Sequence, residues 1–217
     1  MRAWAVAWGG ASLLAGLTLL AAAAGPEETA ALVEQLRSGS VVERRAAAGR
    51  LAEVGGAAAT SELAKALRDA DAEVRERAQA ALWAIWQRSG DPEVDRLLQR
   101  GIVLMEQGRY PDAVVVFGEV IARAPGFAEG WNKRATVYYL MGDDDRSLAD
   151  CEEVIRRNPI HFGALSGFGL LYLRKGELER AAEYFERALG ANPNLAQVAA
   201  VLEQIREVLE QRRRESI

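Results

Sequence analysis

The chain contains very few of the residues that enzymes most often use for catalysis or for metal binding. Its 217 residues include one histidine and one cysteine, which excludes a zinc site of the Cys and His kind and a cysteine–histidine nucleophile with a third orienting partner. The glycine-rich stretch Gly163–Gly169 opens a helical segment instead of following a strand, so it predicts neither a Rossmann motif nor a P-loop. Ser166 also lacks the spacing of a nucleophile elbow. We therefore expect no catalytic residue, no cofactor and no metal site.

Basic residues are fewer than acidic ones. The chain has 27 lysines and arginines against 31 acidic residues, a formal net charge of −4. An acidic protein is a poor partner for a nucleic-acid backbone, and we expect no nucleic-acid ligand and no small-molecule substrate. The single cysteine, Cys151, cannot form an internal disulfide. We interpret it as a small core hydrophobe, with a reactive or intermolecular thiol as the alternative.

The first residues differ in kind from the rest. Arg2 is followed by an uncharged run from Ala3 to Gly25, which closes in Ala21–Ala24. A short basic start, an apolar centre and a small-residue end predict a secretory signal peptide over residues 1–24, cut after Ala24. The protein would then be exported, most simply to the periplasm. The run is also long enough to cross a bilayer as an uncleaved inner-membrane anchor, and a misassigned start codon or an alanine-rich buried helix is a further alternative.

Three prolines, Pro125, Pro159 and Pro193, lie 34 residues apart, and similar small and bulky residues recur around each. A fixed period of this length indicates an array of helical hairpins, because each unit buries its apolar face only against its neighbours. The period divides this part of the chain into three units, 94–127, 128–161 and 162–195.

These units resemble the tetratricopeptide repeat (TPR) family. The small residue of the first helix is Gly101, Ala135 or Gly169, the bulky one is Leu104, Tyr138 or Tyr172, and the turn glycine is Gly108, Gly142 or Gly176. In the second helix, the outer units carry Ala113 with Phe117 and Ala181 with Phe185, whereas the middle unit has Ser147 and Cys151. This departure puts the packing of the middle unit in question. Small residues mark the points where antiparallel helices cross closely, and the turn glycines predict a left-handed backbone.

The resemblance implies an all-α, right-handed superhelical solenoid of antiparallel helix pairs. Downstream, one apolar stripe predicts a capping helix over 195–215, formed by Leu195, Val198, Leu202, Ile205 and Leu209. The run His161–Gly167 also resembles a segment of short exported bacterial TPR proteins. Its small residues indicate close approach of the preceding unit, with a ligand-contact role as the alternative.

A second period, of 31 residues, precedes the prolines. It aligns Arg44 with Arg75, Ala47 with Ala78 and Leu51 with Leu82. The downstream copy, Leu67–Arg75, resembles the bacterial type of HEAT repeat, so we expect two HEAT-like repeats over residues 26–89. The resemblance implies a ladder of aspartate–arginine contacts between neighbouring repeats, formed here by Asp69 and Arg75. The ladder is incomplete, because the upstream copy has Ser38 in place of the aspartate. Generic alanine-rich hairpins are the alternative. The segment 89–92 marks the boundary with the TPR-like units.

In TPR proteins the first helix of each unit lines a concave groove that takes a peptide or a partner helix. Carried onto this chain, the groove comprises Asp95, Leu98, Ile102, Met105, Glu129, Asn132, Thr136, Tyr139, Gly163, Ser166, Leu170 and Leu173. The family's lysine and asparagine clamp for a terminal carboxylate is absent, since Leu98 and Ile102 stand at those positions. We expect an apolar or mixed peptide, with Asn132 bonding its backbone. The alternative is that the HEAT-like units cover part of this stripe, which is then simply core.

Together these features predict an exported, non-enzymatic adaptor that binds a protein or peptide partner. A different class is a structural assembly component, either self-associating or tethered to the membrane by an uncleaved first segment. An enzyme is a third class, because HEAT-like repeats resemble those of bilin lyase subunits, but the chain offers no candidate nucleophile or ligand set for one.

Overall fold

The described part of the chain is built from α-helices alone. The computed structural model describes residues 25–216, which contain eleven α-helices and no strand. The predicted all-α class is therefore confirmed, whereas the predicted signal peptide lies outside the described residues. The helices divide into two compact units, one of residues 25–88 with 192–194 and one of residues 89–191 with 195–216. None of the described helices is long and apolar enough to cross a membrane.

The first unit consists of two helical hairpins. Its helices are α1 (Pro26–Ser38), α2 (Val41–Val54), α3 (Ala57–Ala66) and α4 (Ala72–Trp86). The second helices of the two hairpins, α2 and α4, pack against each other. Ala47 and Leu51 of α2 and Ala78 and Leu82 of α4 are fully buried. The apolar residues that define the 31-residue period are thus core residues, since an alanine at a helix contact lets two backbones approach closely.

The predicted ladder pairs Asp69 with the wrong arginine. The Asp69 carboxylate lies in the turn before α4 and accepts two hydrogen bonds from Arg44 of the preceding hairpin, at 2.8 and 3.0 Å. Arg75 instead donates to the backbone carbonyls of Asp69 and Ala70, at 2.9 and 3.1 Å. An arginine early in its own helix reaches the carbonyls of the turn just before it, which leaves the carboxylate to the neighbouring hairpin. The bidentate bond from Arg44 lowers the pKa of Asp69.

The second unit consists of three hairpins and a terminal helix. Its helices are α5 (Pro92–Glu106), α6 (Tyr110–Arg123), α7 (Ala128–Met141), α8 (Asp144–Arg157), α9 (Phe162–Arg174), α10 (Leu178–Ala191) and α11 (Ala196–Glu215). Each helix packs against the next, and α5, α7 and α9 also contact one another in order. These three first helices form a continuous row, which we call the inner row.

The three turn glycines end their helices in one geometry. Gly108, Gly142 and Gly176 have φ of 74°, 79° and 75°, as predicted. The backbone N–H of each glycine bonds the carbonyl three residues before it, at 3.0 to 3.1 Å, and the next N–H bonds the carbonyl five residues before it, at 2.9 Å. This Schellman pattern needs a left-handed residue, which glycine adopts without steric cost. It turns the chain sharply from the first helix of each unit into the second.

The small residues of the inner row lie where the second helix crosses. A Cβ added to Gly101 would stand 2.5 Å from the Phe117 ring, and one added to Gly169 would stand 2.4 Å from the Phe185 ring. The middle unit solves the same problem differently, since it carries Ala135 and replaces the phenylalanine with Cys151. Both residues are fully buried in one apolar cluster. A larger residue on one helix is therefore matched by a smaller one on the other.

Ser147 and the terminal helix complete this unit. Ser147 is fully buried, and its hydroxyl donates to the Ala135 carbonyl at 2.8 Å, so its polar group is satisfied. Helix α11 packs against α10. It buries Val198, Leu202 and Ile205 of the predicted stripe.

Candidate functional site

The predicted groove residues lie along the inner row. Nine of the twelve, all but Asp95, Glu129 and Gly163, are the predicted partner contacts. The structure buries five of these nine, Leu98, Asn132, Thr136, Ser166 and Leu170. The other four are partly exposed, Ile102, Met105, Tyr139 and Leu173. Leu98 belongs to the apolar core of the first hairpin and Leu170 to that of the later ones. That these nine residues contact a partner stays a prediction.

The partly exposed residues form an apolar and aromatic stripe on the inner row. Ile102 and Met105 of α5 pack at the edge of one core, while Tyr139 of α7 and Leu173 of α9 pack at the edge of the other. Met105, Tyr139 and Leu173 occupy the same position in successive units. The Tyr139 ring lies under the Arg174 guanidinium, whose carbon is 3.7 Å from the ring centre. Such a stacked pair holds the ring in place.

A polar cluster lies beside this stripe, at the start of α7. Its centre is the fully buried Glu129 carboxylate. Oε2 of Glu129 accepts a hydrogen bond from Asn132 Nδ2 at 3.0 Å and lies 3.1 Å from His161 Nε2. Oε1 lies 3.1 Å from Lys133 Nζ, an ion pair without hydrogen-bond geometry. Three side chains from two parts of the sequence thus share one carboxylate, and we call these three residues and Glu129 the Glu129 cluster.

His161 connects this cluster to α9. It is the N-cap residue of α9, where its Nδ1 accepts the backbone N–H of Ala164 at 3.1 Å. Because Nδ1 accepts from this backbone N–H, the ring proton that faces Glu129 lies on Nε2, which donates to the carboxylate. One buried histidine therefore caps α9 and ties it to α7.

Burial and charge act in opposite directions on Glu129. Burial alone raises the pKa of its carboxyl group, but the positive charge of Lys133 and the hydrogen bond from His161 together outweigh burial and hold the pKa below its usual value. Glu129 is therefore ionised at neutral pH, and it pairs with a lysine that is only 4% exposed. Buried partners of this kind depend on each other, because either one alone would leave an unpaired charge.

The hydroxyls on the inner row donate to their own helices. Thr136 Oγ1 donates to the Asn132 carbonyl at 2.9 Å, and Ser166 Oγ donates to the Phe162 carbonyl at 2.8 Å. Asn132 Oδ1, by contrast, is a buried acceptor without a hydrogen-bond partner among the described residues. Such an atom is uncommon in folded proteins and calls for a specific explanation.

Sequence reasoning placed Glu129 and Asn132 in the groove but missed Lys133 and His161. The four-residue spacing of Glu129 and Lys133 is the available signal for the ion pair. Cys151 is fully buried, and burial raises the pKa of its thiol well above the usual value, which agrees with the core interpretation. Within residues 25–216, no group of three or more histidine, cysteine or acidic side chains is placed to hold a metal ion.

Paired antiparallel helices, a fixed period and a continuous inner row define an α-helical repeat protein. A tetratricopeptide repeat family model matches residues 98–159 and 141–196. Residues 98–196 of this chain therefore belong to the tetratricopeptide repeat family, as the sequence predicts. The HEAT-like assignment of the first unit stays a prediction.

Two relatives with known sequences each match about half of the chain. A TPR repeat-containing protein of Rhizobium etli is 36% identical over 108 residues, which are 50% of this chain and 53% of that protein. The Hsp70-Hsp90 organizing protein 1 of Glycine max is 29% identical over 122 residues, which are 56% of this chain and 21% of that protein. The match thus spans about half of the first relative and a fifth of the second.

Solved structures share the fold. The Sgt2 TPR domain of Aspergillus fumigatus superimposes with a TM-score of 0.54 at 24% identity, over 57% of this chain and 83% of that one. The first TPR of Spaghetti (RPAP3), bound to an HSP90 peptide, gives 0.52 at 23% identity, over 54% of this chain and 93% of that one. At these identities the likeness shows the TPR fold alone.

Proposed function

We propose that this chain is a non-enzymatic adaptor that binds a peptide or a helix of a partner protein on the inner row of its repeats. The observation that carries the proposal is the stripe of Ile102, Met105, Tyr139 and Leu173, which leaves apolar and aromatic surface partly exposed along three helices in contact. Apolar and aromatic side chains that stay partly exposed beside a polar rim are typical of protein interfaces.

The partner is proposed to be an apolar or mixed segment. The Spaghetti (RPAP3) repeat was solved with an HSP90 peptide that ends in an acidic residue. In this chain Leu98 and Ile102 stand where the family places its lysine and asparagine clamp, and Leu98 is fully buried. An aliphatic pair cannot neutralise a carboxylate. The contact available is the partly exposed apolar and aromatic area of the stripe.

Loss of two inner-row side chains is expected to weaken peptide binding. Peptides would be selected from a displayed random library on the purified chain, and their affinity measured by fluorescence anisotropy. We expect Asn132→Ala combined with Tyr139→Ala to weaken the selected peptides at least about tenfold, because Tyr139 supplies contact area and Asn132 an acceptor. The matched control is Val115→Ala, which removes a side chain that is 63% exposed on α6. Unchanged affinity in a folded double variant would refute the inner-row assignment.

We also propose that the adaptor works outside the cytoplasm. The support is the sequence pattern of residues 1–24, in which Arg2 precedes an uncharged run that ends in four alanines. Intact-mass analysis of the chain from its native cell checks this proposal. A mature chain that begins at Gly25 is expected, whereas an intact first segment would favour the tethered alternative.

A further inference from the structure

We infer that the first unit carries a docking site for an asparagine turn, and that the ligand of this site is the segment Asn192–Asn194 of the same chain. The site is formed by Leu67, Arg75 and Gln79, and the segment belongs to the first unit by its contacts. The site is separate from the inner row, so the inference stands or falls independently of the proposed function.

Arg44 and Arg75 occupy the same place in successive hairpins and bond in the same way. Nη1 of each donates to the backbone carbonyl five residues before it, at 3.0 and 3.1 Å. Arg44 Nε then donates at 2.8 Å to Asp69, in the turn of the next hairpin. Arg75 Nε donates instead to Asn194 Oδ1, at 3.1 Å. The segment therefore takes, at Arg75, the place that the turn of the next hairpin takes at Arg44.

The segment also repeats the hydrogen bonding of that turn. Asp69 accepts both the Arg44 guanidinium and, at 2.8 Å, the backbone N–H two residues later. In the segment two side chains share these tasks, since Asn192 Oδ1 accepts the Asn194 N–H at 3.0 Å and Asn194 Oδ1 accepts Arg75. A side chain that bonds the backbone two residues on forms an Asx turn. The first unit thus holds the same kind of turn twice.

Two further hydrogen bonds fix the segment to α3 and α4. Asn192 is fully buried, and its Nδ2 donates to Gln79 Oε1 on α4 at 2.6 Å. Asn194 Nδ2 donates at 2.8 Å to the carbonyl of Leu67, the C-cap residue of α3. Carbonyls at the end of a helix lack a partner within it, and a side-chain amide satisfies one of them here. Both asparagines are therefore held by the first unit.

The position of Asn194 requires an amide. Its oxygen accepts from Arg75, while its nitrogen donates to the Leu67 carbonyl and, at 3.0 Å, to Asn192 Oδ1. Aspartate would give the arginine a charged acceptor, but an ionised carboxylate only accepts hydrogen bonds. It would face two other acceptor oxygens with no proton between them. The ligand class is therefore an Asx turn that carries asparagine, and not aspartate, two residues after its first residue.

Docking within one chain explains why a few hydrogen bonds suffice at this site. A segment of the same chain meets its site at a high effective concentration, whereas a free peptide would also lose translational and rotational freedom on binding. While the segment is docked, Arg75 is not open to the turn of another hairpin. The ladder of the first unit therefore ends on its own chain, and a second copy of the protein has no place in it.

Amide hydrogen exchange of the purified chain tests the docking from both sides. Asn194→Ala removes every side-chain bond of that residue, so we expect exchange about tenfold faster both in residues 192–197 and in the α3–α4 turn, residues 67–71. The matched control is Asn158→Ala, which changes the asparagine before the proline of the preceding repeat and should alter neither stretch. Faster exchange confined to residues 192–197 would mean that only the loop itself holds the segment, and it would overturn the inference.

A change on the first unit supplies the reciprocal test. Gln79→Ala removes the acceptor of the buried Asn192 amide, so exchange in residues 192–197 should again become faster. Glu76→Ala, at an exposed position of the same helix, should have no such effect. Unchanged exchange of the segment in Gln79→Ala would contradict docking on α4.

Asn194→Asp tests the ligand class. We expect it to speed exchange in residues 192–197 at neutral pH, because the lost donor and two facing oxygens outweigh the stronger bond to Arg75. Slower exchange than in the wild type would overturn the requirement for an amide. A dimer in light scattering, with exchange of the segment that slows as the protein concentration rises, would show that a second copy supplies the segment and would overturn the assignment within one chain.

Discussion

Gly169→Ala is expected to destabilise the TPR unit by about 2 kcal/mol, although glycine to alanine in a helix normally stabilises by up to about 1 kcal/mol. The new Cβ would stand 2.4 Å from two ring atoms of Phe185. That ring is buried in the core of the last two hairpins and cannot move away without disturbing its neighbours. Chemical unfolding followed by circular dichroism would show the change as a lower midpoint.

Two control experiments test whether the lost stability comes from the contact between Gly169 and the Phe185 ring. Gly118→Ala places a methyl on α6 with its nearest neighbour at 3.9 Å, so it should stabilise by up to about 1 kcal/mol. In a Phe185→Cys background, which copies Cys151 of the middle unit, Gly169→Ala should also become neutral or stabilising. A Gly169→Ala cost that persists without the phenylalanine ring would contradict the packing account.

Lys133→Met is expected to be the most destabilising single change in the Glu129 cluster. Removal of one partner of a buried ion pair typically costs about 3–5 kcal/mol, because the remaining charge is left uncompensated. Because hydrogen bonds from His161 and Asn132 still reach Glu129, we expect a loss of stability near the lower end of that range. The control is Lys65→Met on α3, whose ion pair with Glu62 has a largely exposed lysine and should leave the unfolding midpoint almost unchanged.

The pH dependence gives the Lys133→Met prediction a sign that can be checked. The folded-state pKa of Glu129 is lowered in the wild type, so its stabilising contribution is present above the unfolded-state value of about 4.3 and is lost as pH falls through the folded-state value. Removal of Lys133 raises that folded-state pKa. The cost of Lys133→Met should therefore be large at neutral pH and shrink in acid. A cost that is independent of pH would mean that the ion pair does not exist.

The sequence predicted those features that depend on one residue or on one fixed spacing. The turn glycines were predictable because a helix that ends on a left-handed residue needs no information from elsewhere in the fold. Gly101 and Gly169 were equally informative, because a small residue at a fixed place in a helical repeat by itself indicates a close helix crossing. The middle unit was harder, because Ala135 looks ordinary until its partner across the hairpin is known to be Cys151. Packing of this kind depends on pairs of residues that the period alone does not connect.

The candidate site was predictable only in part. The repeat position places Asn132 and Tyr139 on the inner row, but it does not show that Asn132 is buried against Glu129. His161 joins that cluster from 32 residues away, through the contact between α7 and α9. The ladder of the first unit failed in the same way, since the sequence offers Asp69 two arginines and only the packing of the hairpins selects Arg44. Partner choice depends on tertiary geometry in both cases.

Amide hydrogen exchange of the purified chain, with and without a selected peptide, tests the central claim most directly. The account predicts that the peptide slows exchange in α5, α7 and α9, which carry the apolar stripe and the Glu129 cluster, and leaves α6, α8 and α10 nearly unchanged. Protection confined to the second helices of the hairpins would contradict the claim that the inner row of this repeat array is its binding surface.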